Sequence, residues 1–296
     1  MLSKNGKYKL WGWGKMMILA LLIVFSIRFF LLESFYISSS SMETAVLNGD
    51  YLLVKKTGKI NPVHRNAVML FRSPLEKDSM EHTLFLSRCI GMPGDTLMVS
   101  EKGLNINGKE FPKAPSLLSR YKVDKKIEQF LYRQMKRLDI PVRDKTETDS
   151  TCFISLNTFE EFRLREELPE AANRLFIPVP TEVYTLVVPR KGKAYRLDSN
   201  ALTACKEIIR RETDGQAVFR DGKLYIDGRE TSFFFFKQDY FWMLSDNTTE
   251  GIDSRHLGFI PQNNLEGSLF LVWMSKVPGT GLLHGYRWDR IFNTLY

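Results

Sequence analysis

Apolar residues dominate from Met16 to Leu32, interrupted by Arg28, and then give way to short alternating runs separated by turn-forming residues. The first stretch predicts a membrane-crossing helix at the short end of the ~17–25 residues that a span requires. Arg28 lies near its outer end, where its long side chain can snorkel toward headgroups. The later runs, at 51–54, 67–71 and 84–90, have strand length and strand composition. Asn107-Gly108 and Asp227-Gly228 each follow such a stretch and predict hairpin turns. A mostly β fold is expected.

Between residues 121 and 212 the texture shifts. A charged segment runs from Lys122 to Lys145, and helices are expected over 159–175 and 199–211. This reads as an α/β subdomain inserted into the β domain, a solvated decoration whose residues point to no chemistry of their own. The expected organisation is a cytoplasmic tail at 1–15, a transmembrane helix at 16–32, a first β part at 33–120, the insert at 121–212, and a second β part at 213–296.

The formal net charge of +8 could indicate nucleic acid, but the basic residues are scattered and no zinc-finger, helix-turn-helix or RNA-binding pattern occurs. A basic face toward anionic membrane lipid accounts for the charge better. Cys89, Cys152 and Cys205 have neither CxxC nor Cys/His ligand spacing, so no metal site is expected, and no cofactor signature is found. A Cys152–Cys205 bridge is open to an extracytoplasmic domain, although buried free thiols explain an odd number of cysteines more simply.

No acidic residue precedes Glu33, whereas Lys4, Lys7, Lys9 and Lys15 flank the apolar run and Trp11 and Trp13 sit at its edge. This arrangement predicts a cytoplasmic N-terminus and a main domain outside the cytoplasmic membrane. A cleavable signal peptide ending near Ser38–Ser41 is the competing reading. The apolar character continuing through Phe29–Leu32 and Phe35-Tyr36-Ile37 favours a retained, membrane-facing anchor.

Four segments then follow in order: Ser39-Ser40-Ser41-Met42; Gly49-Asp50 through Lys56; Arg88-Cys89-Ile90-Gly91-Met92-Pro93-Gly94-Asp95; and Ser245-Asp246-Asn247 with 253–261. Each is weak alone. Together, after a single apolar segment, they resemble bacterial signal peptidase I, a membrane-anchored serine protease family, and the likeness continues through Tyr286–Phe292. The resemblance implies a signal-peptidase-like β domain and signal peptides of secreted preproteins as partners, with other membrane proteins as candidate complex partners. It makes Ser41 the nucleophile, with its backbone N–H and the Ser39 hydroxyl forming the oxyanion hole. It makes Asp253 and Arg255, with Ser254 between them, a supporting group. Peptides would bind extended, with small side chains entering shallow pockets near Ser41.

At one position the chain departs from the family chemistry. The residue before the arginine of the third segment is a lysine in the family, whose neutral amine deprotonates the serine. Here it is Ser87, and an alcohol is not a useful base near neutral pH. His82 lies five residues away, roughly 17 Å along a continuous strand and on the opposite face. Lys55, Lys56, Lys77 and His64 read as solvated surface. Further departures are Ser40 before the nucleophile, Glu43 after Met42, Thr44-Ala45, Asn66-Ala67 after Arg65, and Ser245 opening the last segment. Two readings stand: an active signal peptidase using another base, and a noncatalytic paralogue that binds peptide or serves in a complex. A lectin-like or scaffold domain leaves the ordered segments unexplained.

Overall fold

The computed structural model describes residues 13, 15–22, 32–56, 62–75, 83–100, 103–112, 117–180, 183–249, 251–281 and 283–294. Its centre is a seven-stranded antiparallel sheet in the order β1 (Leu32–Tyr36), β2 (Asp50–Lys56), β20 (Leu265–Ser275), β3 (Val68–Arg72), β4 (Leu84–Gly91), β18 (Tyr240–Leu244) and β19 (Ile260–Pro261). The predicted strand runs correspond to β2, β3 and β4. Sequence alternation explains how the central strands carry a core on each face. Val68, Leu70 and Leu86 join Leu52, Val54 and Val272 on one face. Met69, Phe71 and Cys89 join Phe241, Met243 and Ile260 on the other.

A second sheet, β12 (Tyr184–Val187), β5 (Thr96–Ser100), β6 (Gly103–Ile106) and β7 (Lys109–Phe111), follows the Gly91–Asp95 turn. The β6–β7 turn is Asn107-Gly108, with φ of 54° and 81°, the left-handed pair that a tight hairpin requires. Asp227-Gly228 does the same between β15 (Lys223–Ile226) and β16 (Arg229–Thr231), and β15 pairs on its other side with β14 (Val218–Arg220). A two-stranded pair, β13 (Ala194–Arg196) and β17 (Phe233–Phe235), completes this side.

The region read as one insert contributes to two cores. Residues 119–178 form their own sheet, β11 (Phe176–Pro178), β8 (Ser119–Asp124), β10 (Thr151–Leu156) and β9 (Thr146–Glu147), covered by α2 (Lys125–Arg137) and α3 (Thr158–Glu167). The later part behaves differently: β12 extends the second sheet, and α5 (Ser199–Glu212) packs through Cys205, Ile208 and Ile209 against Leu97, Tyr195 and Phe236. The helix expected over 159–175 ends at Glu167 and resumes as the single turn α4 (Glu170–Asn173). Pro169 supplies no N–H and pushes Leu168 into an extended conformation, ψ 129°, which breaks the helix.

At the N-terminus, residues 15–22 are helical (α1) and exposed. Much of the expected span, 23–31, lies outside the described residues, and among those described no helix is long and apolar enough to cross a membrane. Leu32, taken as the end of that helix, is instead the first residue of β1, paired with Lys55. Of the segment expected to face the membrane, Phe35 and Ile37 pack on the central core while Tyr36 is half exposed.

Candidate active site

Ser41 sits in the connection between β1 and β2. Ile37 N–H donates to Asp50 O at 2.9 Å and Gly49 N–H to Ile37 O at 2.9 Å, closing the loop at its base. Within it, Glu43 N–H donates to Ser40 O and Val46 N–H to Met42 O, so residues 40–46 form a compact turn. Met42, Ala45 and Val46 are its buried side chains and seat it on the central core. A run of four serines ending at one large apolar residue explains the outcome: Met42 goes in, and its neighbour Ser41 is left half-buried at the surface.

The fourth segment meets this turn from the other side. Asn247 N–H donates to Ser41 O at 2.9 Å, and Asp246 N–H approaches Met42 Sδ at 3.3 Å. Ser39 Oγ accepts from Ser41 N–H at 3.1 Å, which brings together the two groups expected to form an oxyanion hole. Asp253 is fully buried; its Oδ2 accepts from Ser245 N–H at 2.8 Å and from Arg255 at 2.8 Å. Arg255 in turn donates to Thr248 O, and Ser254 Oγ accepts from Met243 N–H at 2.9 Å. The Asp253–Arg255 pair thus braces the loop that touches Ser41, and Ser254 ties it to β18.

Ser41 opens onto a cleft of about 340 Å³, lined among others by Phe35, Ile37, Leu70, Leu84, Leu86 and Ile252. Among the described lining residues there is no lysine, histidine, arginine or carboxylate. Ser87 is fully buried, and its Oγ lies 3.2 Å from Ser245 Oγ. Two of the departures noted in the sequence therefore form one buried hydroxyl pair. Gly251 completes it: a Cβ there would come within 2.2 Å of the Ser245 Cβ. Ser245 occupies the space beside Ser87 because residue 251 has no side chain.

The other candidate bases are elsewhere. Lys55 lies over the Phe270 ring, Lys56 pairs with Glu33, and His64 is exposed. His82 and Lys77 lie outside the described residues.

The chain matches the family described as Signal peptidase, peptidase S26, over residues 10–177, more than half its length. It belongs to the signal peptidase family. It is 26% identical to signal peptidase I of Buchnera aphidicola subsp. Baizongia pistaciae, over 92% of this chain and 80% of that protein. It is 24% identical to signal peptidase I of Buchnera aphidicola subsp. Schizaphis graminum, over 86% of this chain and 71% of that protein. A shorter match, 32% identical over 109 residues, joins it to signal peptidase I P of Bacillus subtilis subsp. natto, covering 37% of this chain and 57% of that protein.

For a signal peptidase, the surroundings of this site hold ion pairs that sequence reading missed. Arg88, read only as the neighbour of the base position, donates from Nε and Nη2 to both oxygens of Asp246 at 2.9 and 2.6 Å, with both side chains almost wholly buried. Asp50 is buried and accepts from Arg290 Nη2 at 2.7 Å, while the same nitrogen donates to Ala45 O at 2.9 Å. The C-terminal segment is thereby tied to the turn that carries Ser41. Gly49-Asp50 and Tyr286–Phe292 both belong to the segments that carry the resemblance, but nothing in their spacing reveals that they touch.

The three thiols are free and sit in three different cores, which removes the Cys152–Cys205 bridge.

Proposed function

We propose that this protein is a signal peptidase I-type endopeptidase that binds preproteins in extended form, small residues toward Ser41, and cleaves their signal peptides at the outer face of the cytoplasmic membrane. The observation that carries this reading is Ser41 on a braced turn at the mouth of an apolar cleft, with Ser39 Oγ beside its N–H. In the proposed reaction Ser41 Oγ attacks the scissile carbonyl carbon and its proton leaves to a base. Ser41 N–H and the Ser39 hydroxyl turn toward the carbonyl oxygen as it gains charge. The peptide amine departs with a proton, and water then hydrolyses the acyl-enzyme. The cleft lining is largely apolar and carries no charged side chain among the described residues, which disfavours charged side chains next to the scissile bond.

A specific observation favours a second reading. The buried Ser87–Ser245 pair fills the base position with two hydroxyls, and the described cleft lining offers no amine or imidazole in its place. A protein of this kind would hold signal peptides without cutting them. The experiment is cleavage of a preprotein by the full chain in detergent, with Ser41→Ala alongside. Cleavage lost in Ser41→Ala supports the protease. Equal, saturable peptide binding by both proteins with no cleavage by either supports the binder and overturns the protease.

A further inference from the structure

The insert reaches the turn that carries Ser41 through two adjacent residues, Arg143 facing Glu43 on the turn itself and Asp144 bonding Asn247 on the loop that touches it. Arg143 is largely buried, and its Nη1 donates to both oxygens of Glu160 at 2.8 and 2.9 Å. Glu160 is itself fixed: it is the third residue of α3 and accepts from Asn157 N–H in a reciprocal cap. A guanidinium held this way has its remaining N–H directions set in advance. Arg143 Nε then lies 3.9 Å from Glu43 Oε1, on the Ser41 turn. Glu43 is one of the residues by which this chain departs from the family pattern, and the insert places a cation opposite it.

Asp144 takes the second route. It has φ of 50°, an uncommon conformation for a residue with a Cβ, that turns its carboxylate toward the site loop. Asp144 Oδ1 accepts from Asn247 Nδ2 at 3.4 Å, while Asn247 N–H donates to Ser41 O. Asn247 is wholly buried and its Oδ1 accepts from Thr249 N–H, so both ends of its side chain are engaged. A bond between Ser155 Oγ and Thr249 Oγ1, 3.3 Å, joins the insert to the same loop again.

We propose that Arg143 and Asp144 are positioning residues for the Ser41 turn, the first through Glu43 and the second through Asn247, so that the insert sets the geometry of the site. The turn is held from outside at Ser41 O by Asn247 N–H and at Ala45 O by Arg290, so groups that fix Asn247 and face Glu43 add to how rigidly it is held. The purpose assigned to that rigidity, presenting Ser41 N–H and Oγ to a peptide carbonyl, rests on the signal-peptidase reading; the tethering does not.

The test uses the full chain in detergent micelles with Glu43→Gln and Asp144→Gly, singly and combined. Glycine tolerates the positive φ at 144 and deletes the side chain, Asp144→Asn controlling for the backbone freedom it adds, and Glu43→Gln leaves the Arg143–Glu160 pair untouched. Amide hydrogen exchange over residues 42–46 is expected to quicken about tenfold in the double variant, with β3 and β4 unchanged. Preprotein cleavage is expected to lose kcat by a similar factor with KM unchanged, and Asp144→Asn, which keeps both the acceptor and the tolerated φ, restores most of both. Unchanged exchange over 42–46 in the double variant, or a rise spread evenly through the central sheet, overturns the proposal. If the wild-type chain cleaves nothing, the protease reading fails while the exchange measurement still decides the tethering.

Discussion

Ser87 shows why restoring a family residue is not a single substitution. Its side chain is sealed against Ser245, so Ser87→Lys must place a long amine where another side chain already stands. Overpacking and desolvation of the amine predict a loss of about 2–4 kcal/mol in denaturant unfolding. The double variant Ser87→Lys/Ser245→Gly vacates that space, and more than half of the loss is expected to return; no recovery would show that Ser245 is not the obstacle. Arg88 illustrates the opposite case, a charge that is buried because it is fully paired. Arg88→Ala strands the Asp246 carboxylate in the interior and is expected to cost about 3–5 kcal/mol by the same measurement.

The loop between β1 and β2 owes its shape to partners distant in sequence. Asp50 opens β2, accepts from Leu47 N–H at 2.9 Å within the loop, and pairs with Arg290 near the C-terminus. Arg290→Ala removes one cation and the bond to Ala45 O but leaves Arg287, 3.7 Å from Asp50. The expected loss is therefore about 2–3 kcal/mol, below that of a fully buried pair with no second cation, and chemical denaturation measures it. The strands themselves were legible from alternation and turn residues, as β2, β3, β4 and the two Asx-Gly hairpins show. The third such hairpin, at Asp221-Gly222 with φ of 48° and 71°, carries the same signal in the same form. The helix break at Pro169 was missed by the expectation of one helix over 159–175, although proline acts locally.

Between the sheets, Asp95 is the junction. It accepts from Met92 N–H and Asn107 Nδ2 and pairs with Arg65 at 2.8 Å, joining the segment before β3 to the second sheet. Burial pushes its carboxyl up, but the bonds from Arg65, Met92 and Asn107 outweigh that and hold it below the usual carboxylate range. A depressed carboxyl stabilises the fold above its unfolded pKa, and that contribution is lost as pH falls through the folded value. Wild type is thus expected to be more stable than Asp95→Asn at neutral pH, with the gap closing below about pH 4; a gap constant with pH would refute the linkage. The thiols offer a reading of each core in turn. Burial pushes Cys89 up to about 12 and also raises Cys152 and Cys205. All three are expected to resist thiol reagents in the native protein and to become reactive in separate phases as their cores open; immediate labelling of any one would contradict its burial.

Strand content could be read from the chain because period-two alternation and turn residues are local, whereas the family and the candidates Ser41, Ser39, Asp253 and Arg255 came from the resemblance that the ordered segments carry. The Ser87–Ser245 pair, the Arg88–Asp246 and Asp50–Arg290 ion pairs, the division of residues 121–212 between two cores, and the approach of Arg143 and Asp144 to the Ser41 turn came only from the folded chain. Each depends on segments far apart in sequence being brought within hydrogen-bonding distance by strand pairing, and one-dimensional spacing carries no record of that distance.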